Sequence, residues 1–277
     1  MKKFAVIVLA IILAFAAYFV YEYRAKVPTP DPGSSETGKP DSKSAEDPEE
    51  EIVPNNGPLF NRALVTIMFD DGWARNPAVV IPILDKYGFK TSHCYLTSNL
   101  TWKEAVDGML WLDRAGHEIC SHGLIHEDLT LLSPDELQRE LRDSKRIIEE
   151  TLGKPVDVFV SPFGIYNDTT LSAIKDVYRS HRGTQPGYNT KENFDAYALM
   201  VKNVFLTTTA SEVSQWIAEA QAENAWLIIL YHEVHDEASE FGTKPAMFEA
   251  HMQAITQSGV VVKTYSAALN ECQKQTK

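Results

Sequence analysis

Between residues 58 and 277, apolar strand-like runs alternate with helical segments, and this alternation limits the folds that are open to the chain. Residues 63–69 are almost continuously apolar, which indicates a strand that is buried on both faces. Successive runs are mostly separated by enough residues to hold a helix, as connections between parallel strands require. Repeated βα units of this kind predict an α/β fold with a parallel sheet or barrel.

The clearest single element is a helix over residues 134–152. Ser133 is its expected N-cap, Glu136 completes a capping box, and Gly153 is the expected stop after the last turn. The other predicted helices cover residues 77–87, 103–115, 169–178, 210–222 and 246–258, and the predicted strands cover residues 63–69, 91–96, 117–121, 156–160, 226–231 and 260–264.

Residues 4–21 form an apolar run without a charged side chain. A helix of that length would be about 27 Å long, close to the ~30 Å hydrocarbon core of a bilayer. Lys2 and Lys3 before the run favour a cytoplasmic N-terminus. We therefore expect residues 1–26 to be an uncleaved signal anchor, a transmembrane helix that holds a single-pass protein in the cell membrane with its globular part extracytoplasmic. Cleavage of the segment would instead give a secreted protein.

Residues 27–57 differ from the rest of the chain because they are rich in proline and acidic side chains. They contain too few apolar groups to offset the entropy of ordering, so a disordered linker is expected. The sequence thus divides into an anchor (residues 1–26), an acidic, proline-rich linker (residues 27–57) and a globular domain (residues 58–277).

The net charge and the cysteine content argue against two classes of protein. A net charge of −12 would repel phosphate, so no nucleic-acid partner is expected. The 3 cysteines are too few, and odd in number, for a disulfide framework. Cys94 and Cys120 can pair if their strands are neighbours, although a buried cysteine more often packs as a small apolar side chain.

Several polar residues lie at the predicted ends of strands, where chemistry gathers in parallel α/β folds. Asp70 and Asp71 follow the first buried strand, and buried carboxylates need a partner such as a metal ion. An ordinary strand-ending turn is the alternative, since Asp-Gly is common in turns.

His122 and His126 are four residues apart. On a helical turn both imidazoles would face the same way, which is the spacing of a two-histidine metal site. With one carboxylate they would form a three-ligand site with an open position, the pattern of catalytic zinc. Two surface histidines without a metal are the alternative.

Two further segments are weak signals when each is taken alone. Residues 161–164 predict a rigid turn whose backbone N–H can stabilise an oxyanion, or simply a turn. His232 ends the strand over residues 226–231, where a histidine is more often structural than catalytic.

Together and in this order, residues 69–72, 121–126, 161–164 and 230–232 resemble the motifs of the polysaccharide deacetylase family, the NodB-homology or carbohydrate esterase 4 group. The resemblance extends over about residues 64–269. It implies a distorted (β/α)7 barrel of the NodB type.

The resemblance also implies a function: metal-dependent removal of N-acetyl groups from a cell-wall or extracellular polysaccharide such as peptidoglycan, poly-N-acetylglucosamine or a chitin-like chain. The metal would usually be zinc, although cobalt or nickel also suits two histidines and one aspartate. The implied site consists of the metal ligands Asp71, His122 and His126, the general base Asp70, the general acid His232, the oxyanion turn at Pro162 and Phe163, and the acetyl-contacting Leu230.

Two departures from the family pattern leave the activity open. Val160 stands where the family usually has an arginine that orients the base, and no Asp-Trp pair lies between Ser180 and Asn189. Arg182 is a candidate catalytic residue because it can supply the missing charge from another strand end. The alternatives are a weak or inactive carbohydrate-binding wall protein on the same scaffold, and an O-acetyl esterase of the xylan type.

Overall fold

The computed structural model describes residues 60–275, and the predicted anchor and linker lie outside these residues. Among the described residues, no helix combines the length and the apolar character that crossing a bilayer would require. The strands are β1 (Leu64–Phe69), β2 (Ser92–Tyr95), β3 (Glu118–Ser121), β4 (Val158–Val160), β5 (Ser180–Pro186), β6 (Leu199–Asn203), β7 (Trp226–Tyr231) and β8 (Val261–Val262). The helices are α1 (Asn76–Tyr87), α2 (Lys103–Arg114), α3 (Pro134–Leu152), α4 (Asp168–Lys175), α5 (Ala210–Glu223), α6 (Pro245–Gln257) and α7 (Tyr265–Gln275).

Strands β1 to β7 lie side by side in chain order and are all parallel, and β1 closes the ring by pairing with both β2 and β7. β7 pairs along the whole of β1, whereas β2 pairs only with Met68 and Phe69 at the carboxyl end of β1. The short β8 pairs with Leu64 and Val65 at the start of β1. The result is a distorted parallel barrel of seven strands with surrounding helices, which confirms the predicted fold class at that level.

Side chains on each strand alternate between the barrel interior and the helices outside it. On β1, Leu64 and Met68 pack inside, while Val65 and Phe69 pack in the outer core, which includes buried side chains of the helices. The inward series continues beyond the strand to Asp70, which is buried at the carboxyl end of the barrel.

The last helix, α7, packs against the inner cluster near the amino ends of the strands. Tyr265 contacts the ring of Trp226 with centroids 5.3 Å apart, and its hydroxyl lies 2.8 Å from Ser180 Oγ. This end of the barrel is therefore filled with side chains, and the functional groups lie at the other end.

The predicted capping box of α3 is present. Ser133 and Glu136 bond reciprocally, and Gly153 ends the helix with a left-handed φ of 70°. The strand predicted over residues 226–231 is β7 with the same ends, and the other predicted elements are present with shifted ends. The strand expected over residues 260–264 is reduced to the two residues of β8.

The sequence pattern does not predict β5, β6 or α7. β5 looks polar, yet its first residues are buried because each polar side chain has a partner. Ser180 lies beside Tyr265, His181 Nδ1 donates to the carbonyl of Tyr197 at 2.7 Å, and Arg182 is paired as described below. Hydropathy alone cannot identify a strand of this kind.

Cys94 and Cys120 form a disulfide, so the expectation that they only pack is wrong. The two residues are direct register partners on the neighbouring strands β2 and β3, and both point into the barrel. Adjacent parallel strands thus bring the two thiols within bonding distance, with Cα atoms 4.3 Å apart.

Candidate active site

The chain turns sharply after β1 at Asp71 and Gly72, which have positive φ values of 68° and 63°. A side chain at position 72 would collide with the ring of Tyr95, so only glycine fits there. A left-handed aspartate costs about 1–3 kcal/mol and is found mainly where function requires it. This turn separates the two aspartates, with Asp70 buried and Asp71 half-buried.

His122 and His126 are brought together by a loop after β3, not by a helical turn as predicted. Gly123 has a φ of 94°, which breaks any helical path. Glu140 on α3 holds the loop instead, because its Oε1 accepts the backbone N–H groups of Leu124 and Ile125. The spacing of four residues thus identified the correct pair of histidines, although the helical turn assumed for them is absent from this segment.

The side chains of Asp71, His122 and His126 converge as the sequence predicts. Asp71 Oδ1 lies 3.3 Å from His122 Nε2 and 3.7 Å from His126 Nε2, and the three candidate ligand atoms all lie within 4.8 Å of one another. Donors of a tetrahedral zinc site stand roughly 3.3–3.4 Å apart when the bonds are about 2.0–2.1 Å. Within residues 60–275, Asp71 Oδ1 is buried without a hydrogen-bond donor, which suits a cation ligand.

The tautomer of His122 also suits a metal ligand. Its Nδ1 lies 2.9 Å from the carbonyl oxygen of Val160, which can only accept, so Nδ1 carries the proton. The lone pair of Nε2 then faces Asp71. A backbone carbonyl that orients a ligating imidazole in this way is the usual second partner of a metal-bound histidine.

The three groups influence one another electrostatically. Burial alone would raise the pKa of Asp71, but the neighbouring His122, His232 and His126 lower it to about 2. Burial alone would lower the pKa of His122, but Asp71 and Asp70 raise it. Burial and the charge of His122 lower the pKa of His126, which favours its neutral, ligating form.

Arg182 lies beside Asp70, as expected of a substitute for the missing arginine. Its Nη2 donates to Asp70 Oδ1, and both side chains are almost completely buried. Arg182 Nη1 also donates to the carbonyl of Gly183 at 3.1 Å. The ion pair fixes the orientation of the Asp70 carboxylate, while the catalytic roles of both residues stay predictions.

His232 follows β7 at the same end of the barrel. Its backbone carbonyl accepts a hydrogen bond of 2.6 Å from Asn76 Nδ2, and Asn76 Oδ1 accepts the N–H of Val234 at 2.9 Å. Asn76 therefore fixes the turn that carries the predicted acid. In the described part of the chain, the buried Nδ1 of His232 has no hydrogen-bond partner, in agreement with the missing Asp-Trp pair.

The remaining predicted site residues are divided between the cavity and the core. Phe163 has a φ of 57°, and the centroid of its ring lies 4.1 Å from that of the His126 ring. It forms part of the wall of the cavity described in the next paragraph. Pro162 is buried behind it, and Leu230 is fully buried in the inner barrel cluster. Neither of these two lines the cavity, and their contacts with an acetyl group stay predictions.

A cavity of about 420 Å³ joins these groups, and we call it the metal-centre cavity. It is lined by Asp70, both histidines of the cluster and His232, and its wall includes Phe205 and Phe241, whose ring centroids are 5.9 Å apart. This volume is within the range of about 300–1,000 Å³ that small-molecule sites occupy.

Three supporting residues were not predicted from the sequence: Asn76, Glu140 and Trp73, whose Nε1 donates to Asp71 Oδ2 at 3.2 Å. Glu140 left a signal, because it stands beside Leu141 on the buried stripe of α3, where an acid is unusual without a partner. The other two left no signal in a single sequence.

Residues 60–178 match the profile of the family described as Polysaccharide deacetylase, over the part of the fold that carries Asp71, His122 and His126. The matched segment makes up less than half of the 277-residue chain and is similar to that family. YxkH of Bacillus subtilis (strain 168) is 31% identical over 138 residues, which are 49% of this chain and 49% of YxkH. The peptidoglycan-N-acetylmuramic acid deacetylase PdaC of the same organism is 32% identical over 119 residues, 42% of this chain and 24% of PdaC.

The chain thus spans half or less of the length of these curated relatives. Its fold is similar to that of a family 4 acetyl xylan esterase from Clostridium thermocellum, solved with a cobalt ion. The TM-score is 0.54 at 20% identity, over 75% of this chain and 90% of that structure. At this identity the similarity concerns the fold alone.

Proposed function

We propose that this protein is a metal-dependent hydrolase that removes N-acetyl groups from a cell-wall or extracellular polysaccharide. One observation supports this above all: the candidate metal ligands Asp71, His122 and His126 line the same cavity as Asp70 and His232. Hydrolysis of an amide needs a polarised carbonyl, a base for water and an acid for the leaving amine, and the cavity contains a group for each.

A divalent cation held by the cluster, which we propose to be zinc with cobalt or nickel as substitutes, would polarise the acetyl carbonyl and lower the pKa of a bound water. Asp70 would accept the proton of the attacking water, with one carboxylate oxygen held by Arg182. His232 would protonate the leaving amine. The backbone N–H of Phe163 would donate to the oxyanion.

Acetate release tests this proposal directly. The full chain is incubated with N-acetylglucosamine oligomers, peptidoglycan and poly-N-acetylglucosamine, with metal analysis alongside. We expect acetate from at least one polymer, loss of activity with a chelator and recovery with zinc. Persistent activity in the chelated protein would contradict the metal-dependent mechanism, and absence of acetate with a fully loaded site would support the inactive, carbohydrate-binding alternative.

An O-acetyl esterase is the second candidate, because the same groups would hydrolyse an ester and the esterase from Clostridium thermocellum has a similar fold. Comparing kcat/KM for acetylated xylan with that for N-acetylglucosamine oligomers separates the two. We expect the amide substrate to be preferred, and a higher kcat/KM for the ester would replace the first proposal by the second.

We further propose that the domain acts outside the cytoplasm, tethered by residues 1–26. The apolar run at residues 4–21 supports the anchor, and the Cys94–Cys120 disulfide supports an oxidising compartment. Protease treatment of intact cells should digest the domain while an N-terminal fragment stays with the membrane. Full protection of the domain from protease would contradict this location.

A further inference from the structure

A second cavity, of about 770 Å³, adjoins the metal-centre cavity and shares Asp71, Trp73 and His126 with it. We call it the tryptophan cavity. Beyond the shared residues, it is lined by the segment that follows β2, including Leu96, and by the start of α2. The metal centre described above therefore lies at the boundary between two adjoining cavities.

The tryptophan cavity has an aromatic wall that is open to solvent. Trp102 precedes α2 with extended backbone angles of −99° and 127°, and 69% of its surface is exposed. Trp73 lines the same cavity. A large aromatic residue that is exposed within a concave, mainly apolar surface indicates a binding function more strongly than an isolated exposed residue does.

The wall is held in place by bonds that lead back to the metal cluster. Asn99 Nδ2 donates to the carbonyl of Asp71 at 2.7 Å, and the N–H of Trp102 donates to the carbonyl of Asn99 at 3.1 Å. Trp73 Nε1 donates to the carboxylate of Asp71. The ring of Trp73 and the backbone at Trp102 are thus fixed relative to a candidate metal ligand.

We infer that the tryptophan cavity is a subsite for a second sugar unit of the same polymer, next to the unit that loses its acetyl group. This inference rests on the proposed function. A pyranose ring has apolar C–H faces and polar hydroxyl edges, which match the faces of Trp73 and Trp102 and the polar edge formed by Asn99 and Glu104. The volume is ample for one sugar and falls within the usual range of about 300–1,000 Å³ for ligand sites.

The consequence is a preference for chains over short sugars. A polymer that occupies both cavities passes the metal centre, so residues within a chain are substrates and kcat/KM rises with chain length. Binding energy from the second sugar is available only to oligomers that are long enough to reach Trp102.

The test compares Trp102→Ala with Trp111→Ala in the full chain. Trp111 is a matched control because it is also an exposed tryptophan, on α2, and lines neither cavity. We expect Trp102→Ala to lower kcat/KM for the N-acetylglucosamine hexamer about tenfold, as loss of one stacked ring would. The loss for the N-acetylglucosamine monomer, which has no second sugar for the tryptophan cavity, should be several times smaller, and Trp111→Ala should behave as the unchanged protein.

Calorimetry adds a readout that does not depend on turnover. Binding of the hexamer and of the monomer is measured in an Asp70→Asn background, with and without Trp102→Ala. Length-dependent binding that is weakened by Trp102→Ala supports the subsite even if no polymer releases acetate, in which case only the proposed function fails. Equal losses for monomer and hexamer, no loss at all, or no dependence on length in the unchanged protein would overturn the inference.

Discussion

Val160 and Arg182 are direct register partners on the adjacent strands β4 and β5. Val160 occupies the position at which the polysaccharide deacetylase motif usually has an arginine, and Arg182 reaches Asp70 from the neighbouring strand. The positive charge beside the candidate base is therefore present, displaced by one strand. The carbonyl of Val160 meanwhile orients His122.

Arg182→Ala should lower kcat for acetate release about a hundredfold, since positioned acid–base groups contribute roughly 10²–10⁴ in rate. Metal content should stay the same, because Arg182 contacts none of the three candidate ligands. The variant leaves Asp70 buried without its partner, so stability is expected to fall as well.

A reciprocal exchange, Val160→Arg with Arg182→Val, separates charge from stability. It keeps the total side-chain volume of the pair and returns the arginine to the motif position. We expect kcat above that of Arg182→Ala. An unchanged kcat in Arg182→Ala, with full metal content, would show that Arg182 does not assist the base.

His126→Ala should abolish stabilisation by zinc. A ligand at 100 times its Kd stabilises a folded protein by about 2.7 kcal/mol, so zinc should raise the Tm of the unchanged protein measurably. His126 is partly exposed, which limits any effect of the truncation itself. His235→Ala, on a neighbouring loop outside the cluster, should keep the full response to zinc. A zinc response that survives in His126→Ala would remove this residue from the ligand set.

Glu140→Ala should weaken metal affinity although Glu140 is not a ligand. Its carboxylate accepts two backbone N–H groups in the loop between the histidines, and leaving these donors without a partner costs about 1–3 kcal/mol. Competition with a chromogenic chelator measures the affinity, and thermal melting measures the stability. Glu150→Ala, which removes an exposed ion pair with Arg146 on the same helix, should change neither by much. Unaltered affinity in Glu140→Ala would mean that the loop keeps its shape without this support.

Acid should destabilise the fold through buried neutral histidines. Burial, and then the charge of Lys90, lower the pKa of His117 to about 4, and burial and His117 hold the pKa of His93 well below its usual value. The unfolded chain therefore takes up protons near pH 6.5, whereas folded His117 accepts its proton only near pH 4 and the pKa of folded His93 stays well below its usual value. The stability contributed by these groups is complete above pH 6.5 and is lost as the pH falls through this window.

Urea unfolding between pH 7 and pH 4 measures this loss. In His117→Asn the free energy of unfolding should fall less steeply as the pH is lowered, because that side chain no longer titrates. The difference in slope corresponds to at most one proton taken up on unfolding. His235→Asn is the control variant, because it replaces a histidine that lies on a loop. A decline that is equally steep in His117→Asn and in the unchanged protein would assign the acid sensitivity to other groups.

The sequence predicted most of the barrel because its core strands are apolar runs with clear helices between them. It also identified the three residues that converge as candidate metal ligands, since Asp71 and the two histidines lie in short motifs. It could not identify β5, where burial is compensated by long-range bonds such as that of Arg182 to Asp70. Nor could it identify Asn76, which bonds across 156 positions of chain to the carbonyl of His232.

The order in which the site residues occur along the chain has a practical consequence. All three candidate metal ligands precede residue 178, within the segment that matches the family, whereas Arg182 and His232 come after it. Sequence similarity confined to that segment covers the candidate metal ligands and the candidate base Asp70, but it says nothing about Arg182 or about the candidate acid His232. A relative can therefore keep every ligand, look intact in such a comparison and still lack the means to expel the amine.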